Sequence, residues 1–368
     1  MAAKPVKVLI IDDSALVREV LTKIFSRDKN LEVVGSARDP LYAIKDIKEH
    51  RPDVITLDLQ MPRMDGITFL EKLMSSYPMP VVVISSLAQE GSDVTIKALE
   101  LGAVDFVPKP ALGIGQGLDD MSVDIVGKVK NAASVNMDEM RRQVRQRKAG
   151  KKATTSNSSP AVKEPPAKKE EPVRMVSSTD KVIAIGASTG GTVAVKNILT
   201  KLPANLPGII VVLHMPSGFT ASYAESLNDS CAMKVKEATD GETVMTGYAY
   251  IAPGGKHVEV EKSSKGYHLR VSTDPPVNRH RPSADKLFYS VAENAPANSL
   301  GIILTGMGND GAQGLKMMKD KGSETVAQDE KSSIVYGMPK QAVEIGAVNS
   351  VLPLDQIADF ITGYVKSR

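Results

Sequence analysis

Five polar residues in the first third of the chain stand at the ends of short apolar runs. Asp12 and Asp13 follow Val6–Ile11, Asp58 ends the run that begins at Val54, Ser85 closes Val81–Ser85, and Lys109 follows Val104–Val107. Carboxylates from neighbouring strand ends can converge on a hard divalent cation such as Mg²⁺, which prefers oxygen ligands and keeps several waters. With the cation held by Asp12, Asp13 and Asp58, the Asp58 carboxylate is placed to attack phosphorus and form an acyl phosphate. Lys109 and Ser85 would then hold two phosphoryl oxygens. A single Asp at a strand end is a common turn residue, but that reading does not account for five polar residues at corresponding ends of one sheet.

A second set lies in the other half. Ser188 stands in Ile185-Gly-Ala-Ser-Thr-Gly-Gly191, a G-x-S-x-G context after an apolar strand and before a helix. Glycines permit a sharp turn there, and the helix amino terminus brings N–H groups beside the hydroxyl, as in a nucleophile elbow. The competing reading is a Gly-rich phosphate loop. Against it, the spacing is not G-x-G-x-x-G, and the next strand, GIIVVLH, ends in His214 where a ribose-binding acid would stand.

A serine hydroxyl needs a base, and imidazole, with a reference pKa of about 6.5, can serve at neutral pH. Of the other histidines, His50 lies in the first half, while His257, His268 and His280 lack a comparable strand-end position. Asp310, in the loop Gly306-Met-Gly-Asn-Asp-Gly311 after the strand Leu300–Thr305, can fix the imidazole tautomer and stabilise its charged form. GNDG alone reads equally as a turn. The order Ser…His…Asp differs from the Ser…Asp…His of α/β-hydrolases, which disfavours a conventional lipase or esterase fold. A triad is defined by geometry and not by order.

These residues need sheets to carry them. In the first half, apolar runs alternate with helical periods over Ala15–Phe25, Pro40–Glu49, Gly66–Ser75 and Asp93–Leu101. Such alternation argues a doubly wound parallel sheet, α/β in class, with ligands at the carboxyl edge of the strands. The second half repeats the pattern with Val182–Gly186, Gly208–His214, Tyr248–Ala252, His257–Glu261, Tyr267–Ser272, Leu300–Thr305 and Thr325–Gln328 as strands. The expected division is a first domain over 1–125, a helical extension and linker over 126–178, and a second domain over 179–368.

At 368 residues and 42% apolar content, two folded domains are ordinary, and wholesale disorder is excluded. The single cysteine, Cys231, allows no intramolecular disulfide. No apolar run approaches the ~18 residues of a membrane span, and the amino terminus reaches two aspartates too early for a signal peptide. A cytoplasmic protein is expected.

The formal charge of +3 is unevenly spread. Residues 1–140 carry 16 basic and 21 acidic side chains, residues 141–174 carry 11 and 3, and residues 175–368 carry 19 of each. The basic excess lies in a Pro/Ser-rich stretch that reads as a disordered tether. A DNA-binding output domain would need a basic face and a recognition helix; the neutral, strand-rich second half offers neither.

DDSALVR at 12–18, DLQMPRMDG at 58–66 and GAVDFVPKP at 102–110 resemble a response-regulator receiver domain of flavodoxin-like fold. IGASTGGT at 185–192, HMPSGFT at 214–220, YIAPGGKH at 250–257, PPVNRHRPS at 275–283 and LTGMGNDGA at 304–312 resemble the catalytic domain of the CheB chemotaxis methylesterase family. The resemblance implies Asp58 as phospho-acceptor, Asp12 and Asp13 as Mg²⁺ ligands, Ser85 and Lys109 as phosphoryl sensors, and Phe106 as the switch aromatic. For the second domain it implies Ser188 as nucleophile, His214 as base and Asp310 as orienter, with Thr189 and Met307 contributing to the oxyanion site.

The implied reaction is hydrolysis of glutamate γ-methyl esters on chemoreceptors, with deamidation of receptor glutamines, and it needs no cofactor. An unphosphorylated receiver is expected to restrain it. The chemotaxis histidine kinase CheA is the implied phosphodonor, and a monomer is expected, with no nucleic-acid partner and no membrane insertion. Arg279, His280 and Arg281 are read as surface or substrate-facing residues. Gln60 departs from the acidic residue frequent at its position, which is expected only to retune the loop.

Overall fold

The computed structural model describes residues 4–85, 89–109, 117–137, 139–142 and 179–366. The Pro/Ser-rich stretch over 143–178 lies outside them. Among the described residues no helix is long and apolar enough to cross a membrane.

The first sheet holds five parallel strands, β1 (Val6–Ile11), β2 (Leu31–Ala37), β3 (Val54–Asp58), β4 (Val81–Ser85) and β5 (Asp105–Pro108), in the order β2-β1-β3-β4-β5. Every residue of β3 and β4 is buried, as continuous apolar runs require when helices cover both faces. The helices are α1 (Ala15–Ser26), α2 (Pro40–His50), α3 (Gly66–Ser76), α4 (Gln89–Leu101) and α5 (Gly117–Ala133). Helix α1 starts where the Ser14 hydroxyl accepts from Val17 N–H, and its buried stripe is Val17, Leu21, Ile24 and Phe25. The strand order reverses at β1 and β3, so the crevice outside their carboxyl ends lies where Asp12, Asp13 and Asp58 stand.

The second sheet has seven parallel strands: β6 (Val182–Ala187), β7 (Gly208–Leu213), β8 (Lys234–Glu237), β9 (Tyr248–Ile251), β12 (Ser299–Ile303), β13 (Glu324–Gln328) and β14 (Ser350–Leu352). Their order is β14-β13-β12-β6-β7-β9-β8. Its helices are α6 (Gly191–Leu199), α7 (Thr220–Asn228), α8 (Ala284–Asn294), α9 (Ala312–Asp320), α10 (Met338–Glu344) and α11 (Leu354–Lys366).

Two expected strands, β10 (His257–Ser263) and β11 (Gly266–Ser272), stand outside the parallel sheet as an antiparallel hairpin. The hairpin is held to α8 by Val260 N–H donating to Ser290 Oγ at 2.8 Å. The chain winds from β6 towards β7 and returns to β12 on the other side. The reversal therefore brings the loops after β6, β7 and β12 together at one edge.

Candidate phosphorylation pocket and active site

In the first domain, Asp12, Asp58 and Ser85 are buried and Asp13 is exposed. One carboxylate oxygen from each of the three aspartates lies within 4.8 Å of the others. Asp12 Oδ1 accepts from Ser14 N–H at 2.9 Å and Asp58 Oδ1 from Gln60 N–H at 3.1 Å. Lys109 Nζ reaches Asp58 Oδ2 at 2.7 Å and Asp12 Oδ2 at 3.6 Å. The Ser85 hydroxyl accepts from Thr95 Oγ1 at 2.6 Å.

Burial, then the charge of Asp58, pushes the Asp12 carboxyl up to about 6. Buried Asp12 Oδ2 accepts no hydrogen bond among the described residues. This oxygen-only cluster of crowded carboxylates, one with an unsatisfied atom, fits a hard dication.

Because the folded pKa of Asp12 lies above its unfolded value of about 4, stability without metal falls as pH rises from about 4 to 6 and stays lowered above that. Asp12→Asn is therefore expected to raise the melting temperature of the chelator-treated protein above pH 6 and to leave it nearly unchanged below pH 4. Calorimetry across that range checks this, and the same variant should lose Mg²⁺-dependent phosphorylation.

In the second domain, Ser188 follows β6 at a sharp turn into α6, whose N-cap, Gly190, has the left-handed φ of 78°. Gly306, after β12, lets that loop close on the serine: a Cβ there would lie 2.8 Å from Ser188 Cβ and 2.4 Å from Met338 Sδ. Asp310 is 1% exposed, and both of its oxygens accept hydrogen bonds. Its Oδ2 accepts from His214 Nε2 at 2.8 Å and Ala284 N–H at 2.6 Å. Its Oδ1 accepts from Ser283 Oγ at 2.6 Å and Asn278 Nδ2 at 2.8 Å. Ser283 is also the N-cap of α8, so the carboxylate rests on the positive end of that helix.

Burial pushes the Asp310 carboxyl up, yet His214 and the hydroxyl and amide donors outweigh it and hold the group well below the usual carboxylate range. With Nε2–H committed to Asp310, the lone pair available for a proton is on His214 Nδ1. That atom is buried and unpartnered among the described residues. The Ser188 hydroxyl, half-buried, makes no hydrogen bond to a described residue, as is common before substrate tightens a catalytic site.

The structure thus brings His214 and Asp310 into contact and carries Ser188 to the same edge. Met307, 47% exposed, lies in the loop after β12, and Thr189 is buried beside the serine. His280 is half-buried and stacks on His214, ring centroids 3.7 Å apart and planes 6° from parallel, while Arg279 and Arg281 are exposed. Asn278 stands in the 275–283 motif but has no role assigned to it by the sequence. A signal was present: a serine N-cap opening a helix marks a place where a carboxylate is stabilised, and the residues just before it are its natural neighbours.

The response regulator receiver domain family model matches residues 8–113, and the CheB methylesterase family model matches residues 183–361. A protein-glutamate methylesterase/protein-glutamine glutaminase 2 of Xanthomonas oryzae pv. oryzae is 48% identical over 355 residues, 96% of each chain. The protein-glutamate methylesterase/protein-glutamine glutaminase of Salmonella typhimurium is 48% identical over 353 residues, 96% of this chain and 95% of that one. The chain belongs to the CheB family of protein-glutamate methylesterases/protein-glutamine glutaminases.

Among solved structures, the Thermotoga maritima CheB methylesterase catalytic domain is 38% identical, covering 50% of this chain and 98% of its own, with a TM-score of 0.49. The response regulator domain of Thermotoga maritima CheB is 39% identical over 36% of this chain and 99% of its own, TM-score 0.33.

In this CheB chain the receiver's β5 edge lies against the methylesterase edge just described. Thr189 Oγ1 donates to Asp105 Oδ2 at 2.7 Å. The Phe106 ring packs on Phe219 with centroids 4.5 Å apart. Ser92 Oγ donates to Gly218 O at 2.9 Å, and Lys196 pairs with Glu100. Beyond α5, Asn136 N–H donates to Ile334 O at 3.1 Å. Between the domains, Asp105, Phe106, Ser188 and His214 line a cavity of only 20 Å³, room for about one water. Phe106 and Thr189 are therefore parts of one contact between the domains.

Proposed function

We propose that this chain hydrolyses glutamate γ-methyl esters on the cytoplasmic helices of chemoreceptors and deamidates receptor glutamines, with Ser188, His214 and Asp310 as the triad. The observation that carries this reading is the 2.8 Å His214–Asp310 contact at the sheet edge that also holds Ser188. His214 Nδ1 takes the Ser188 hydroxyl proton as Oγ attacks the γ-carbonyl carbon. The negative charge gathers on the carbonyl oxygen, where Thr189 and Met307 contribute stabilisation. Collapse breaks the bond to the methoxy oxygen, which leaves as methanol with the proton from His214. Water, deprotonated by the same imidazole, then cleaves the acyl-enzyme to glutamate. A glutamine follows the same path with ammonia leaving.

In the receiver, Asp12, Asp13 and Asp58 would hold Mg²⁺, which neutralises phosphoryl oxygens when bound. Asp58 is the acceptor, and a CheA-type histidine kinase is the donor. Ser85 and Lys109 take the phosphoryl oxygens, which draws Ser85 from its Thr95 contact and repacks α4 and Phe106. The regulatory unit, expected over 1–125, takes in the whole of α5 and so runs on to Ala133, and 179–368 is the catalytic unit.

The test is methanol release from methylated receptor membranes by the full chain, with and without a small-molecule phosphodonor. Release that rises with the donor is expected; no release under either condition overturns the reading. Asp105→Ala removes the carboxylate that Thr189 engages. At about 1.5 kcal/mol for a hydrogen bond to a charged group, it is expected to raise the rate without phosphodonor about tenfold and to change the phosphorylated rate little.

A further inference from the structure

We propose that the cleft between α2 and α3 of the receiver is a docking groove for an acidic amphipathic helix of a partner protein. Helix α2 packs on β1 and β2 and helix α3 packs on α4, with little contact between α2 and α3 themselves. The gap between them is a cavity of about 720 Å³. Buried Ile47, Phe69 and Leu73 line it, together with Ile44, 42% exposed, and Tyr77, 58% exposed. Exposed Leu41 and Tyr42 extend the apolar surface toward the start of α2. Single exposed apolar side chains are ordinary, whereas a contiguous apolar patch around a cavity marks an interaction surface.

The charges select the partner. Lys48 and Arg51 from the α2 side and Lys72 from α3 line the same cleft, and no acidic side chain lines it. The nearest acid on the α2 stripe, Asp46, turns instead toward β2 beside Gly35. Among the described residues none of the three cations forms an ion pair, so their charge is left for a complementary surface. The chain's own Pro/Ser-rich stretch is not that surface, because residues 141–174 carry 11 basic and 3 acidic side chains and share the sign of the groove. Nor does the second domain cover it, since that domain meets the receiver at α4 and β5, through Ser92 and Phe106. The groove therefore stays accessible while the two domains are in contact. Helix α3 has 11 residues, about 16 Å of length at the helical rise, which accommodates about three turns of a third helix. An apolar stripe at helical spacing would fill the trough, and flanking Glu or Asp would meet cations on both walls.

The experiment is fluorescence anisotropy of the full chain with two labelled, helix-stapled peptides of about four turns, each with Leu along one face. One peptide carries Glu on its flanks and the other Lys. The Glu peptide is expected to bind saturably and to weaken as salt rises, with the Lys peptide at least ~10-fold weaker. Lys48→Glu combined with Lys72→Glu should reverse that preference. Ile44→Ser should weaken both peptides about tenfold, the scale of one large aliphatic side chain. These positions are exposed and outside both reaction centres, so Asp58 phosphorylation and methanol release should match wild type and report an intact fold. No saturable binding of the Glu peptide, equal binding of the Lys peptide, or a preference that survives the double reversal would overturn the proposal. Self-association in sedimentation that Ile44→Ser abolishes would overturn it in favour of a second copy of the chain. Binding to phosphatidylglycerol vesicles in place of the Glu peptide would overturn it in favour of a lipid surface.

Discussion

Replacing Ser188 with alanine is expected to lower methanol release on the order of 10⁶-fold while leaving Asp58 phosphorylation intact. Loss of this size, about 8 kcal/mol of transition-state stabilisation, follows because no other group among the described residues stands where the β6–α6 turn presents a nucleophile. The fold should survive. Ser188 is half-buried, its hydroxyl bonds no described residue, and its backbone N–H donates to Thr305 O at 3.0 Å whatever the side chain. Methanol release together with aspartyl-phosphate formation on one protein sample checks both halves. Retained hydrolysis would take Ser188 out of its role.

Asp310→Asn is expected to cost on the order of 10⁴-fold, the scale seen when a triad carboxylate becomes an amide. Both oxygens of Asp310 face donors, with His214 and Ala284 N–H at one and Ser283 and Asn278 at the other. An amide must turn its NH₂ toward one of those pairs, so two donors meet a donor. If the clash falls on the His214 side, the imidazole switches tautomer and Nδ1 carries a hydrogen where it needs a lone pair. If it falls on the other side, the α8 cap and the Asn278 bond are disturbed. The variant's rate and its heat-unfolding midpoint together check this: a rate near wild type would show that the carboxylate charge does not support His214.

Both carboxyl-edge constellations were legible because a parallel sheet leaves little choice. Once Val54–Asp58 and Gly208–Leu213 are buried strands, the next polar residues must lie at the same edge as their counterparts. Of the strands without an expected counterpart, among them β2, two have weak local signals. Strand β8, Lys-Val-Lys-Glu, is charged as an edge strand should be and lacks an apolar run. Strand β14 has three residues. The β10–β11 pair looked like two more members of the parallel sheet because alternation does not say what a strand pairs with. The His280 stack escaped because nothing local marks Asn278 and Arg279 as consecutive left-handed residues, φ 52° and 66°. The Asp105–Thr189 bond joins residues 84 apart, and Asp105 serves its own domain as well, through Lys128 at 3.5 Å.

The Asp105–Thr189 contact also gives the closed arrangement a chemical identity. The reaction leaves a side-chain carboxylate on its substrate, and Asp105 brings a side-chain carboxylate to the residue beside the nucleophile. In this arrangement a carboxylate of the enzyme itself is held at the residue beside Ser188. Because both partners share a chain, their encounter is intramolecular and does not change with how much protein is present. Diluting the enzyme therefore cannot open it.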